Sequence, residues 1–299
     1  MFKELSQTET LEQLDVRGIN TPLLPAFAYL DSDQNIRYDW HAHDRHQLMY
    51  AFSGTLRLEA ENGFYLLPPQ RAAWIPAGVR HRTTMHNVLS GSVFFDPSLV
   101  AAEQTGVRII SAAPLVREMV QYALRWPPGR NPEDALADSF FRTLGLLCVE
   151  WLKEEMPFRL PAARSGQIAS AMEYTLNNLE SASVEGAAAT AALSARQFRR
   201  RFLAESGIAW RQFHHQARML RAMELLVSPR ATVTDVAYGV GFNSLSAFAK
   251  SFTRFAGQSP HEFRRSGEAD ARPQIWPAKA DAVAAPGMAS GRDATVLLP

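Results

Sequence analysis

Three histidines and a glutamine lie within seven residues, in the stretch HAHDRHQ from His41 to Gln47. A fourth imidazole, His81, follows the proline and glycine of WIPAGVRH. Imidazole nitrogens and amide oxygens can bind a divalent metal ion, and they can equally line a pocket for a small molecule. The stretch itself leaves both alternatives open. Strand alternation places His46 on the opposite face from His43 and Gln47, so His46 is predicted not to be a ligand.

A second group of residues that could have a chemical function is basic. Arg196, Arg199 and Arg200 fall at helical spacing and project from one face if the two phenylalanines of QFRRRF are buried. Arginine pairs bidentately with guanine in the major groove of DNA. A solvated charged face is the alternative, but four basic residues on one capped helix favour DNA contact. Arg201 falls nearer the side of the helix and is predicted to touch phosphate.

These arginines belong to an internal repeat. The segments SARQFRRRFLAESGIAWRQF (194–213) and SLSAFAKSFTRFAGQSPHEF (244–263) align at one offset of 50 residues, with a serine, two phenylalanines, a glycine and a final phenylalanine matched. In each copy the serine caps a helix, the phenylalanines bury one face and the glycine ends the helix. A short helix and a tight break precede each copy, which predicts two helix-turn-helix units.

The second copy is less basic on its outward face. Its outward positions include Leu245, Ser246 and Lys250. We expect less reading of bases there, with an apolar contact between Leu245 and a thymine methyl group. Between the copies, residues 209–227 form an unbroken helical pattern that would span roughly 28 Å. Two helices that enter successive major grooves must lie about 34 Å apart, so this connection suits the arrangement.

Bulk properties narrow the class of protein. The chain has 299 residues, a net charge of +1 and one cysteine, Cys148. A single cysteine excludes an internal disulfide and a CxxC metal site, and it suits a reducing cytosol. The sequence shows neither a secretion signal nor an apolar run of membrane-spanning length, so we predict a cytoplasmic protein without a membrane partner. Residues 166–266 carry 12 Lys and Arg against 7 Asp and Glu, which hints at a nucleic-acid module.

The hydrophobic pattern along the chain predicts an α+β protein. Residues 25–97 alternate as strands, and residues 114–155 switch to helical spacing. The wide apolar face of 133–152 suggests dimerisation, although packing within one protomer could absorb it. The predicted organisation is a sensor domain with its helical segment (1–155), a linker (156–165), a double helix-turn-helix domain (166–266) and a disordered tail (267–299).

Residues 166–266 resemble the DNA-binding domain of the AraC/XylS family of bacterial transcription regulators. The resemblance is carried by DVAYGVGFNSLSAFAKSFTRFAGQSPHEFRR, including its Gly-Phe pair, its spaced phenylalanines and its late glycine. It implies contact with double-stranded DNA at the matching positions, which are Arg196, Arg199, Arg200, Leu245, Ser246 and Lys250.

The histidine stretch resembles the two motifs of the cupin β-barrel, with Gln47 where a glutamate is usual. The resemblance implies a cupin-like barrel and a possible divalent metal held by His41, His43, Gln47 and His81. The wider segment HAHDRHQLMYAFSGTLRL…LLPPQRAAWIPAGVRH closely resembles the sensor domain of one branch of AraC-type regulators. That setting implies an effector pocket, with its predicted lining given by His41, His43, Gln47, Trp74 and His81. Trp74 could instead simply pack the core.

The interpretation that follows is a one-component transcription regulator, which is not an enzyme. It would bind DNA through the C-terminal units, sense a small molecule in the barrel and form a homodimer. A pocket without a catalytic metal is favoured, and a structural or sensing metal is the second possibility. The alternative is a metal-dependent cupin enzyme fused to a DNA-binding module, and a third possibility is an architectural DNA-binding protein without a sensor.

Overall fold

The computed structural model describes residues 3–20, 24–31, 35–61, 63–67, 71–101, 106–111, 114–153, 158–227 and 231–269. The disordered tail is predicted at 267–299, but residues 267–269 instead end the last described helix, and the rest of the tail lies outside the described residues. The described part has strands in its N-terminal half and helices in its C-terminal half, which confirms the predicted α+β class. None of the described helices is long and apolar enough to cross a membrane.

The N-terminal half is organised by one long antiparallel ladder. Its strands are β1 (Lys3–Glu4), β2 (Ala26–Asp31), β3 (Asn35–Arg37), β4 (His46–Ala60), β5 (Gly63–Leu67), β6 (Arg71–Ile75), β7 (His81–Phe95), β8 (Arg108–Ser111) and β9 (Arg159–Pro161). Strands β4 and β7 pair from His46↔Phe95 to Ala60↔His81, with register shifts between Ala51 and Thr55. Such bulges bend a strand pair, and the positive φ of 73° at Gly54 suits one of them.

The remaining strands extend the two ends of this ladder. At one end β2 pairs with β7, β6 pairs with β4, and β8 pairs with β6. At the other end β3 pairs with β7 and β1 with β3, while β5 pairs with β4 and β9 with β5. The described strands therefore form one branched, nine-stranded sheet whose bent centre lets side chains from both ends converge.

Three helices accompany the strands. They are α1 (Gln7–Val16), α2 (Pro114–Ala123) and α3 (Ala135–Trp151). Helices α2 and α3 confirm the helical pattern predicted within 114–155, and they pack on Leu48, Tyr50 and Trp74 of the strands. Leu115, in the first turn of α2, is 51% exposed.

The segment predicted as a linker at 156–165 is partly a strand. From residue 158 onward it is described, and Arg159–Pro161 forms β9, which pairs with β5. Phe158 and Leu160 are buried in an apolar cluster that continues into the helical half. This segment therefore belongs to the N-terminal sheet and is also part of the contact between the two halves.

The C-terminal half contains the two predicted helix-turn-helix units. Its helices are α4 (Gly166–Asn177), α5 (Val184–Thr190), α6 (Ala195–Ser206), α7 (Trp210–Leu226), α8 (Val233–Gly239), α9 (Leu245–Ala256) and α10 (Pro260–Ala269). Ser194 and Ser244 cap α6 and α9, and Gly207 and Gly257 end them in the left-handed conformation, as predicted. The linking helix α7 has 17 residues, so it spans roughly 25 Å.

The turns of the two units differ in length by one residue. Helices α6 and α9 are offset by 50 positions, but α5 and α8 are offset by 49, from Val184 to Val233. The first turn uses Ala192 at a φ of 52°, and the second uses Gly241 at a φ of 84°. A Cβ atom on Gly241 would lie 2.8 Å from the Glu180 Cα and 2.9 Å from the Arg218 Nη2 atom. The second turn therefore needs glycine for its conformation and for the space around it.

This difference predicts opposite effects of two substitutions. Gly241→Ala should lower the free energy of unfolding by about 1–3 kcal/mol, because the methyl group meets backbone at a strained φ. Ala192→Gly should raise it by about 0.5 kcal/mol, because glycine adopts the left-handed conformation of this turn without the steric strain that the alanine Cβ causes. Urea unfolding of both variants beside the wild type measures the two changes. Wild-type stability of Gly241→Ala would contradict the close contact with Glu180.

Candidate functional site

A small cavity lies within the N-terminal strands. His41, His43, Gln47 and His81 all line it, as predicted, together with side chains that include Met49, Thr83, Met85, Ser92 and Phe94. Its volume is about 40 Å³. One water molecule needs roughly 10–15 Å³, whereas pockets for drug-sized ligands measure roughly 300–1,000 Å³. The cavity therefore has room for a few water molecules or a very small ligand in this conformation.

Backbone pairing brings the cavity histidines together. The amide of His41 donates to the His81 carbonyl at 2.9 Å, and the amide of His81 donates back at 2.8 Å. The amide of Gly78 donates to the His43 carbonyl at 2.8 Å, which ties the Pro-Gly turn to the histidine stretch. Ring centroids are 4.3 Å apart for His41 and His81, and 5.1 Å apart for His43 and His81.

All three cavity imidazoles have the same hydrogen-bond arrangement. Nδ1 of His41, His43 and His81 lies 2.8, 2.7 and 2.8 Å from a backbone carbonyl oxygen. Burial lowers the pKa of His41 to about 4 and lowers the pKa of His43 and His81 as well, so the rings are neutral at pH 7. A neutral ring that donates from Nδ1 carries its lone pair on Nε2. The histidines therefore offer the cavity hydrogen-bond acceptors.

Gln47 completes this polar network. Its side-chain amide lies between Nε2 of His43, at 3.1 Å, and Oγ of Ser92, at 2.8 Å. As placed, Oε1 of Gln47 faces Nε2 of His43 and the amide nitrogen donates to Ser92. Because Nε2 of a neutral His43 can only accept, the network is satisfied when the amide is turned by 180°, so that its N–H points to His43 and the hydroxyl of Ser92 donates to the amide oxygen. Gln47 thus stabilises His43 in its neutral tautomer.

The cavity was also predicted as a possible metal site. Within the described part of the chain, no group of three or more His, Cys, Asp and Glu side chains is arranged so that it could hold a metal ion. The neutral imidazoles, each with Nδ1 on a carbonyl, are nevertheless donors of the type that zinc, nickel and iron accept. The metal set of His41, His43, Gln47 and His81 thus stays a prediction.

Trp74 does not line the cavity, and the prediction that it does is corrected. Its ring is fully buried in the apolar cluster under α2 and α3, where it stacks on His46 with 5.1 Å between ring centroids. Trp74 pairs with Leu48 in the ladder and shares that outer face. His46 accepts a hydrogen bond from the Ala77 amide at 3.0 Å, so it too lies away from the cavity, as predicted.

Sequence reasoning missed the charged side of the cavity. Arg17, at the end of α1, donates from Nη1 to Asp31 at 3.0 Å and to the Tyr38 hydroxyl at 2.5 Å. All three side chains line the same cavity as the histidines. They come from separate elements, so no sequence motif marks them. Their pairing places a buried cation and its counter-ion in the wall of the cavity, which Leu14 of α1 also lines.

The second candidate site is the exposed face of the helix-turn-helix units. Arg196, Arg199 and Arg200 are exposed on α6, while Phe198 and Phe202 are fully buried beneath them. On α9, Leu245 is 40% exposed, and Ser246 and Lys250 are exposed as well. All six predicted DNA-contacting residues are therefore accessible to solvent.

Arg201, predicted to touch phosphate, is engaged within the chain. Its guanidinium donates to the Gln167 side chain at 2.5 Å and pairs with Glu205 at 3.3 Å. The Glu205 carboxylate also accepts from the amide and hydroxyl of Ser165, at the start of α4. These contacts hold α6 against α4, and the phosphate contact of Arg201 stays a prediction.

Comparison with known proteins covers both halves. A family model described as the AraC-like ligand binding domain matches residues 24–161, and one described as a helix-turn-helix domain matches residues 187–266. The HTH-type transcriptional regulator NimR of Escherichia coli K12 is 29% identical over 232 residues, which are 75% of this chain and 81% of NimR. The uncharacterised HTH-type transcriptional regulator YdiP of the same organism is 25% identical, over 85% of this chain and 89% of its own.

A solved structure of ToxT from Vibrio cholerae O395 aligns with 82% of this chain and 98% of its own. Its sequence identity is 14% and its TM-score is 0.36.

The buried neutral histidines predict that acid destabilises the fold. Well above pH 6.5 the imidazole of His41 is neutral in both the folded and the unfolded chain. Between pH 6.5 and about 4 it is protonated in the unfolded chain but stays neutral in the folded chain. Stability therefore falls as the pH falls through this window. His41→Gln should remove about 2 kcal/mol of the loss between pH 7 and pH 5.

Urea unfolding at both pH values, with a chelator present so that no metal occupies the rings, measures this difference. His261→Gln is the matched control, because His261 is exposed on α10. If His41→Gln and the wild type lost equal stability on acidification, the neutral-imidazole assignment would be wrong.

Proposed function

Because the chain belongs to the AraC family and is a transcription regulator with a ligand-binding domain and a DNA-binding helix-turn-helix domain, we propose that it is a one-component sensor. The N-terminal strands bind a small-molecule effector, and the two helix-turn-helix units read DNA. The relatives that support this proposal are transcriptional regulators, so we propose further that the chain is not an enzyme and works in the cytoplasm.

The exposed arginine face of α6 is the observation that carries the DNA-binding proposal. Arg196, Arg199 and Arg200 stand on a helix whose start is capped by Ser194 and whose opposite face is locked by buried phenylalanines. A rigid helix can place guanidinium groups at fixed positions in a major groove, where bidentate contacts select guanine. We assign base contacts to these three side chains.

On α9 we assign a weaker role in base recognition. Leu245 suits contact with a thymine methyl group, Ser246 suits a base edge or a phosphate, and Lys250 is the positive charge among them. The rigid α7, roughly 25 Å long, supports docking of both units on one side of the duplex, where successive grooves are about 34 Å apart.

The cavity supports an effector with hydrogen-bond donors. Nε2 of His41 and His81 are acceptors with no hydrogen-bond partner among the described residues, so a ligand N–H or O–H would satisfy them. A divalent metal on His41, His43, Gln47 and His81 is the second candidate. Metal content of the purified chain by mass spectrometry separates the two, since a stoichiometric metal would replace the donor-bearing ligand.

The outer face of α3 supports a homodimer. Leu146 is 71% exposed, Leu136 is 51% exposed and Val149 is 37% exposed on this helix. Apolar side chains that project from one helix after packing within the protomer are typical of a self-association surface. We propose that two copies of the chain meet there.

The DNA-binding proposal predicts sequence-selective losses. Arg196→Ala and Arg200→Ala should each weaken binding to a duplex selected by the wild type by about 1–3 kcal/mol, as expected for a bidentate base contact. Binding to a scrambled duplex should change much less. Arg80→Ala is the control, because Arg80 is exposed in the segment before β7, outside both α3 and the helix-turn-helix units. Equal losses on both duplexes would move the two arginines to phosphate contact.

The homodimer proposal predicts that charge on α3 dissociates the assembly. Leu146→Lys should shift the full chain from dimer to monomer at micromolar concentration, because burying an ammonium in an apolar interface is costly. Sedimentation velocity measures the shift. Leu176→Lys, at a 43% exposed position on α4, is the matched control and should stay dimeric. A wild-type chain that is monomeric at micromolar concentration would contradict the proposed homodimer.

A further inference from the structure

The N-terminal strands contact the last turn of the second candidate reading helix. Arg71, the first residue of β6, is only 8% exposed, and its Nη2 atom donates to the Ala256 carbonyl at 3.0 Å. Ala256 is the last residue of α9, where the carbonyl groups of a helix have no partner within the helix. A cation at this end also complements the helix dipole. Arg71 therefore caps the C-terminus of α9 from the other half of the molecule.

Aromatic side chains reinforce this contact. The Arg71 guanidinium lies 5.4 Å from the ring centre of Phe158, which is fully buried beside β9. Phe158 meets Phe255 of α9 edge to face, with 5.3 Å between ring centroids. Two consecutive residues in the last turn of α9 are therefore contacted from the N-terminal half. Arg71 binds the backbone oxygen of Ala256, and Phe158 packs against the ring of Phe255.

An ion pair between β4 and α7 also joins the N-terminal strands to the helical half. Nε of Arg57 on β4 lies 2.8 Å from Oε1 of Glu224, near the end of α7. Glu224 also pairs with Arg221 of its own helix at 2.8 Å. Both of these polar contacts end on α7 or α9, whereas α6 is held against α4 through Arg201. The strands thus contact the second unit and the linking helix.

We propose that Arg71 is a positioning residue for DNA recognition, because it holds the last turn of α9 and so fixes the second reading helix relative to the first. The proposal rests on the proposed function of α6 and α9 as reading helices. The sensor half, and not the helix-turn-helix fold alone, then sets the spacing at which the chain binds DNA.

The spacing of the DNA site tests this directly. One inserted base pair moves the second groove by about 3.4 Å and rotates it by roughly a tenth of a turn. A duplex is first selected from a random pool by the wild-type chain, and one base pair is then inserted between its two recognised segments. The ratio of the Kd values for the inserted and original duplexes measures how rigidly α9 is held.

The wild type should lose at least tenfold in affinity on insertion. Arg71→Ala should lose less than about threefold, because α9 can reorient, and it should bind the original duplex more weakly than the wild type. Arg71→Lys should restore most of the wild-type ratio, because its ammonium can still donate to the Ala256 carbonyl. A contribution of Arg71 to stability alone would weaken binding to both duplexes equally and leave the ratio unchanged.

Two further variants keep the test decisive. Glu224→Gln removes the ion pair with Arg57 at a partly exposed position, so it should fold and should also lower the ratio. Arg130→Ala is the matched control, since Arg130 is another buried arginine that donates to a backbone carbonyl, at 2.9 Å, and lies over a phenylalanine, but it contacts no part of α9 in the described structure.

A wild-type ratio in Arg71→Ala would by itself overturn the positioning role of Arg71, whatever the ratio in Glu224→Gln. Failure of the wild type to select any duplex would instead overturn the proposed reading of DNA by α6 and α9, and this inference with it.

Discussion

The register of the ladder between β4 and β7 is the constraint on which the N-terminal half depends. In this register Gln47 faces Phe94 across the ladder and Met49 faces Ser92, and all four line the cavity. Because side chains alternate along a strand, a slip of one residue would turn Leu48 and Tyr50 inward and send the cavity lining outward. The same slip would remove the apolar surface on which α2 and α3 pack. The chemistry of the cavity and the attachment of the helices are therefore fixed by one set of backbone hydrogen bonds.

The two halves share a core instead of meeting at a simple contact between finished domains. One apolar cluster contains strand residues such as Leu66 and Leu160 together with Phe213 and Phe248 of the helical half. Strand β6 links the cavity to this shared core, since Ile75 and Ala73 pair with the cavity residues Gln47 and Met49, and the strand begins at Arg71. A ligand that displaced β4 relative to β6 would thus also displace Arg71, the end of β6 that contacts α9.

Local patterns in the sequence predicted the helical half well, and they predicted the cavity only in part. Helix caps, glycine stops and phenylalanines four residues apart act within one or two turns, so the repeat specified both units correctly. Trp74 was misplaced because β6 is buried on both faces, which leaves no polar alternation to tell one face from the other. The strand β9 was hidden in a linker-like segment because proline is tolerated at the end of an edge strand. Arg71, Arg17 and Arg201 owe their roles to partners distant in sequence, which no local pattern records.

The one-residue difference between the two turns bears on how the duplicated units could diverge. Each helical residue advances the side chains by about 100°, so a residue gained inside either helix of a unit would rotate its buried side chains toward solvent. A residue gained in the turn leaves both helical faces in phase and changes only the angle and distance between the two helices. The turn is therefore the place where length variation is tolerated during evolution, and an alignment of the two units needs a gap there and nowhere else between α5 and the end of α6.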